Sequence, residues 1–145
     1  MKTLLFLCTG NYYRSRFAEL YLRHLATEHE INWHVDSRGL QLFSDNEGSL
    51  SQHTVSECEK FGISTEPLRL PMSLQEDDLV RAEVTIAVKE TEHRPLIRKM
   101  FPHWEERIEY WEVHDLDVAP ADETLSQLRL HVDSLFERLR SQEMP

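Results

Sequence analysis

The stretch Lys2–Leu7, KTLLFL, contains four consecutive apolar residues and meets a cysteine and a polar loop at its end. A strand with one wet face alternates apolar and polar residues. A short unbroken apolar run is instead the pattern of a strand covered on both faces. Covering two faces requires elements on both sides of a sheet, and the rest of the chain supplies them. Phe17, Leu20, Tyr21, His24 and Leu25 recur at helical spacing from about Ser15. INWHVDS, from Ile31, reads as a second strand. SLSQHTVSECEKFGI reads as a helix stopped by Gly62, with Val55 and Cys58 on its apolar side. Ser73–Glu76, SLQE, has the pattern of a capping box opening a short helical turn. VTIAV, Val84–Val88, is a β-branched buried run, and a helix follows from about Thr91 to Met100. RIEYWEV gives a fourth strand, and a last helix from about Glu123 carries Leu125, Leu128, Val132, Leu135 and Leu139 as one stripe.

Strands alternating with helices build a parallel sheet. The expected fold is α/β: a three-layer α/β/α sandwich with a central four-stranded, mainly parallel sheet, formed by residues 1–145 as a single domain. No repeat, low-complexity tract or linker divides the chain. The opening MKTLLFLC reads as a strand rather than a secretory leader, because its apolar run is short and Leu7 is not a small residue. No apolar segment approaches transmembrane length. With 16 Lys plus Arg against 26 Asp plus Glu, the net charge is −10. That argues against nucleic acid or an anionic membrane as main partner, since both need a basic surface. Two cysteines, Cys8 and Cys58, form no metal or redox motif, and the eight histidines show no ligand spacing. The expected protein is cytoplasmic and uses neither metal nor cofactor.

In parallel α/β folds, ligands sit beyond the carboxyl ends of the strands, and Cys8 falls at such an end. The loop after it, CTGNYYRS, has the makings of an anion site. Gly10 and Asn11 are residue types that visit left-handed conformations, which turn backbone N–H groups toward one point. A helix from Ser15 aims its N-terminus there. Arg14 offers a bidentate fork for a tetrahedral oxyanion. Those positive ends favour negative charge on the Cys8 sulfur, and a thiolate beside a bound phosphate is the makeup of covalent phosphoryl transfer.

LCTGNYYRSRFAE resembles the signature of low-molecular-weight protein tyrosine phosphatases, C-x-G-N-x-C-R-S-x-x-A-E after the first strand. VDSRG, FGI, VTIAVKE and WEVHD are similar to further segments of that family over the whole chain. The resemblance implies Cys8 as nucleophile forming phosphocysteine, with Arg14 clamping the phosphate oxygens. It implies Ser15 as a hydrogen-bond donor to the sulfur, Asn11 as the brace of the loop, and Asp115 as the acid that protonates the leaving oxygen. Thr9, Gly10, Tyr12 and Tyr13 complete the phosphate-binding loop. The implied substrates are phosphotyrosine or other aryl phosphates, on a phosphorylated protein or a small phosphate ester, handled by a monomer or weak dimer.

Three departures accompany the likeness. The family's acid is followed by proline, whereas here the run is VHDLDVAP, so Asp117 competes with Asp115. Tyr13 replaces a second cysteine, which removes a protective disulfide with Cys8. Relay cysteines of arsenate reductases are also missing. The aromatic wall after the acid is absent, leaving Tyr12 and Phe43 to replace it and Tyr13 to widen or narrow the site. A non-catalytic oxyanion-binding module of the same fold is the alternative.

Overall fold

The computed structural model describes residues 1–46 and 48–143. The unbroken apolar run becomes β1 (Lys2–Cys8), which is flanked on both sides. β2 (Trp33–Gly39) pairs with it along one edge and β3 (Val84–Ala87) along the other. β4 (Glu109–Tyr110) lies beyond β3, giving the order β2-β1-β3-β4 with every pair parallel. Among the described residues four α-helices lie between them, α1 (Arg14–Glu28), α2 (Gln52–Lys60), α3 (Glu76–Arg81) and α4 (Glu90–Met100), and α5 (Ala121–Glu143) follows β4.

Successive side chains of a strand point to opposite faces, and β1 splits its residues accordingly. Leu4, Phe6 and Cys8 join Phe17 and Leu20 of α1, Cys58 of α2 and Leu128, Val132 and Leu135 of α5 in one core. Leu5 and Leu7 join Leu79 of α3, Ile97 of α4 and Ile108 in the other. The three layers expected from the sequence are therefore present, with α1, α2 and α5 on one face and α3 and α4 on the other. Among the described residues no helix is long and apolar enough to cross a membrane.

Two expectations need correction. The capping box sits two residues further on, where the Asp78 carboxylate accepts from the Gln75 backbone N–H at 2.9 Å. Ser73 cannot cap because its backbone bridges Gly39, with Gly39 N–H donating to the Met72 carbonyl and Leu74 N–H to that of Gly39. The fourth strand is only two residues long. A 3-10 helical segment, Pro102–Arg107, occupies its start. Past Tyr110 the chain stays tied to the end of β3 through Trp111 N–H to the Ala87 carbonyl and Val113 N–H to that of Val88.

The stripe on α5 is buried as its spacing predicted, and Leu128 is fully inaccessible. Leu128→Ala is expected to lower unfolding free energy by about 2–5 kcal/mol. In urea this reads as a lower midpoint with an unchanged slope.

Candidate active site

The sheet's topological switch lies between β1 and β3, which lead their chains away to opposite flanks. Cys8 ends β1 there. The turn after it is made by Asn11, in the left-handed region at φ 50°. Gly10 does not share that conformation as the sequence suggested. Its role is spatial: a Cβ there would fall 2.8 Å from Cδ2 of Phe43, whose ring rests on the loop. No described side chain caps the start of α1, which leaves first-turn N–H donors for an anion.

Behind the loop the side chains form a connected network. The Asn11 amide donates to Ser15 Oγ at 3.0 Å and to Ser37 Oγ at 2.8 Å. Ser15 Oγ lies 2.9 Å from Cys8 Sγ and, already accepting from Asn11, has its own hydrogen to offer the sulfur. Ser37 Oγ donates to Glu19 Oε1 at 2.6 Å. Asn11 Oδ1 accepts from Arg69 Nη1 and from the Met72 N–H, both at 3.0 Å. Asn11, Ser15 and Ser37 are fully buried.

A second network holds Arg14. Its Nη1 donates to the Val113 carbonyl at 3.1 Å, and its Nη2 reaches Glu92 Oε2 at 2.8 Å and Asp115 Oδ2 at 3.3 Å. Glu92 also accepts from the Thr9 hydroxyl, and His93 Nε2 lies 3.1 Å from Thr9 Oγ1. His93 Nδ1 accepts from the Lys89 N–H at 3.0 Å, which places the imidazole proton on Nε2. Burial would raise the Glu92 carboxyl, but hydrogen bonds from His93, Arg14 and Thr9 prevail and hold it well below the usual carboxylate range. Burial likewise pushes His93 below its ordinary value, outweighing the pull of Glu92. The pair is therefore a charged carboxylate beside a neutral imidazole.

A model of the family described as "Low molecular weight phosphotyrosine protein phosphatase" matches residues 3–142. The chain belongs to that family. Solved structures agree on the fold of this phosphatase family member. YfkJ from Bacillus subtilis is 22% identical, with 99% of this chain and 98% of that one covered at a TM-score of 0.87. A low molecular weight protein tyrosine phosphatase from T. tengcongensis is 23% identical, with 95% and 99% covered at 0.80. YwlE arginine phosphatase from Geobacillus stearothermophilus is 22% identical, with 99% and 96% covered at 0.79. No curated protein matches the chain.

In this low molecular weight phosphatase domain, the predicted residues separate into two groups. Cys8, Gly10, Tyr12, Tyr13, Arg14, Phe43 and Asp115 line one cleft of about 160 Å³, together with Asn46, Ser51 and Leu116. The side chains of Thr9, Asn11 and Ser15 turn away from it into the networks behind. Tyr13 is buried against the core with its ring 5.9 Å from that of His53, and burial pushes its phenol up to about 12. Phe43 stays half exposed. Asp117 is exposed and outside the cleft. Glu92, His93, Arg69 and Ser37 were not among the predicted site residues. Glu92 and His93 could have been found by asking what lies just past the carboxyl end of β3. Arg69, in EPLRLPMS, carries no local signal.

Because His93 and Glu92 both titrate below their ordinary values in the folded state, the stability each contributes is complete above those values and is lost as pH falls. For His93 the loss begins below about 6.5, and for Glu92 below about 4.5. Between pH 7 and 5 the thermal midpoint should therefore fall less steeply in His93→Gln than in the unmodified protein, as read by differential scanning calorimetry.

Proposed function

We propose that the protein hydrolyses phosphate monoesters of aryl alcohols, phosphotyrosine first among them, through a cysteinyl-phosphate intermediate. The observation that carries this reading is the meeting of Cys8, Arg14 and Asp115 in one cleft at the start of α1. The phosphoryl group sits in the loop between its N–H donors and the Arg14 fork, which neutralise the equatorial oxygens. Cys8, as thiolate, attacks phosphorus. The S–P bond forms as the P–O bond to the leaving group breaks, and Asp115 gives that oxygen its proton. Asp115 then takes a proton from water attacking the phosphocysteine, so that phosphate leaves and the thiolate returns, steadied by Ser15.

The cleft has two carboxylates nearby, and their surroundings suggest different duties. Glu92 is held by three donors and stays charged, which suits it to anchoring Arg14 and not to delivering a proton. Asp115 lines the cleft with about a third of its side chain exposed and contacts Arg14 through one oxygen, so its position suits the departing group. Tyr12 and Phe43 supply an aromatic wall for an aryl ester. Neighbouring folds include arginine phosphatases, so phosphoarginine belongs in the same assay series.

Iodoacetate should alkylate Cys8 before Cys58, and vanadate should protect it. Burial pushes the Cys58 thiol up to about 11, with Glu57 adding to the effect, so it stays protonated. Cys8→Ser should abolish the burst of p-nitrophenol from p-nitrophenyl phosphate. Alkylation confined to Cys58, or a burst that survives Cys8→Ser, contradicts the mechanism.

Asp115→Asn should slow phosphotyrosine hydrolysis by ~10²–10⁴-fold. Phosphocysteine formation from the activated p-nitrophenyl ester should suffer much less, and Asp117→Asn should be nearly silent in both. A large loss only at Asp117 would move the acid. Silence at both positions with phosphate binding retained would favour the non-catalytic oxyanion module.

A further inference from the structure

Two residues after Arg14, α1 carries a second arginine that points elsewhere. Arg16 is 1% exposed, and among the described residues its Nε and Nη1 have no hydrogen-bond partner. Among the described residues its ionic contact is Nε to Glu19 Oε1 at 3.4 Å. A buried guanidinium with unmet donors is costly, and Arg16 is not among the residues that line the active-site cleft. It lines a separate cleft of about 360 Å³ on the outer flank of β2, with Arg23, Arg69, His34, Glu19 and Asp36.

The carboxylates in this cleft are already shared out. Glu19 Oε1 accepts the Ser37 hydroxyl at 2.6 Å and lies 3.4 Å from Arg69 as well as from Arg16, while Arg23 stands 3.9 Å from Oε2. Asp36 binds the Ser37 N–H and Arg38, both at 2.8 Å, and lies 3.3 Å from Arg69. Three guanidiniums thus share one full carboxylate and part of another, in a chain whose net charge is −10. Burial pushes Arg16 below its ordinary value, and Arg69 and Arg23 push the same way against Glu19.

We propose that this cleft is a second anion site, in which the Arg16 fork takes a small tetrahedral oxyanion of the phosphate or sulfate type between Arg23 and Arg69. The volume is many times the ~30 Å³ share of one water, so the ion enters with part of its hydration shell. Glu19 and Asp36 repel it, which sets the affinity low. The site requires no catalytic step and stands whether or not Cys8 is a nucleophile.

The Arg16 Nε–H signal, assigned by its loss in Arg16→Met, reports the site directly in phosphate titrations of the full chain followed by nitrogen–proton NMR. The expected result is a saturating shift that persists in Arg14→Met, where the loop has lost its fork. In that background phosphate should raise the thermal midpoint, and adding Arg16→Met should remove the rise. Arg16→Met itself should fold, since it deletes an unsatisfied buried charge; Arg16→Lys, which keeps the charge and also lacks the guanidinium Nε–H, supplies the same assignment should it not, so the unmodified and Arg14→Met titrations decide the matter in either case. An Arg16 signal unmoved by tens of millimolar phosphate overturns the proposal. So does a shift that disappears with Arg14→Met, because binding would then be confined to the loop.

Discussion

The side-chain amide of Asn11 is the point on which the site's geometry turns. Its backbone bends left-handed directly after the central strand, a conformation that costs most residues roughly 1–2 kcal/mol and asparagine less. The two amide hydrogens then bind Ser15 at the start of α1 and Ser37 in β2, while the amide oxygen receives Arg69 and the Met72 N–H. One residue thereby fixes the loop to the helix that follows it, to the neighbouring strand and to the segment crossing that strand's end. All its polar atoms are paired inside a fully buried site, where an unpaired amide would cost about 1–3 kcal/mol. Ser15 in turn has the hydroxyl that meets the Cys8 sulfur, so the loop's brace and the environment of the thiol are the same set of bonds.

Arg14 is positioned on the opposite side of the loop by a different logic. It is almost wholly buried, and three acceptors from two segments divide its end: Glu92 at the start of α4, and the Val113 carbonyl and Asp115 after β4. Breaking a buried pair of this kind by removing one member is typically worth ~3–5 kcal/mol, so Glu92 matters to the arginine's position well beyond its exposed fraction. Thr9 and His93 complete that arrangement by meeting the same Glu92 oxygen that Arg14 holds. The guanidinium is therefore held in a fixed orientation, which under the proposed function lowers the ordering cost of binding an anion.

What the sequence revealed follows from how local each signal is. Cys8 and Arg14 are six residues apart on one loop, and the helical stripe on α5 is a pattern within one segment, so both were legible. Parallel pairing followed from the alternation of strands and helices, while the strand order β2-β1-β3-β4 came from the structure. Arg69 was not legible because it reaches the loop from 58 residues away and no periodicity marks a residue for such a contact, whereas Glu92, 78 residues from Arg14, was marked only by its place just past the carboxyl end of β3. The cap at Ser73 misled because the same serine was already committed to a backbone bridge with Gly39. The fourth strand read too long because its β-branched and aromatic residues resemble a strand even where only Glu109 and Tyr110 find a partner in β3.

The outer flank of β2 has a meaning for the molecule in a crowded solution. A sheet's edge presents unpaired backbone groups that can recruit a strand from another chain, the usual first step of aggregation. Here one edge is the two-residue β4, too short to template anything. At the other, the Ser37 carbonyl is taken by the guanidiniums of Arg38 and Arg69, and both backbone groups of Gly39 are taken by the crossing segment at Met72–Leu74. Arg69, which steadies the loop after β1 from behind, thus also joins Arg38 in blunting the side of the sheet on which a foreign strand could otherwise grow.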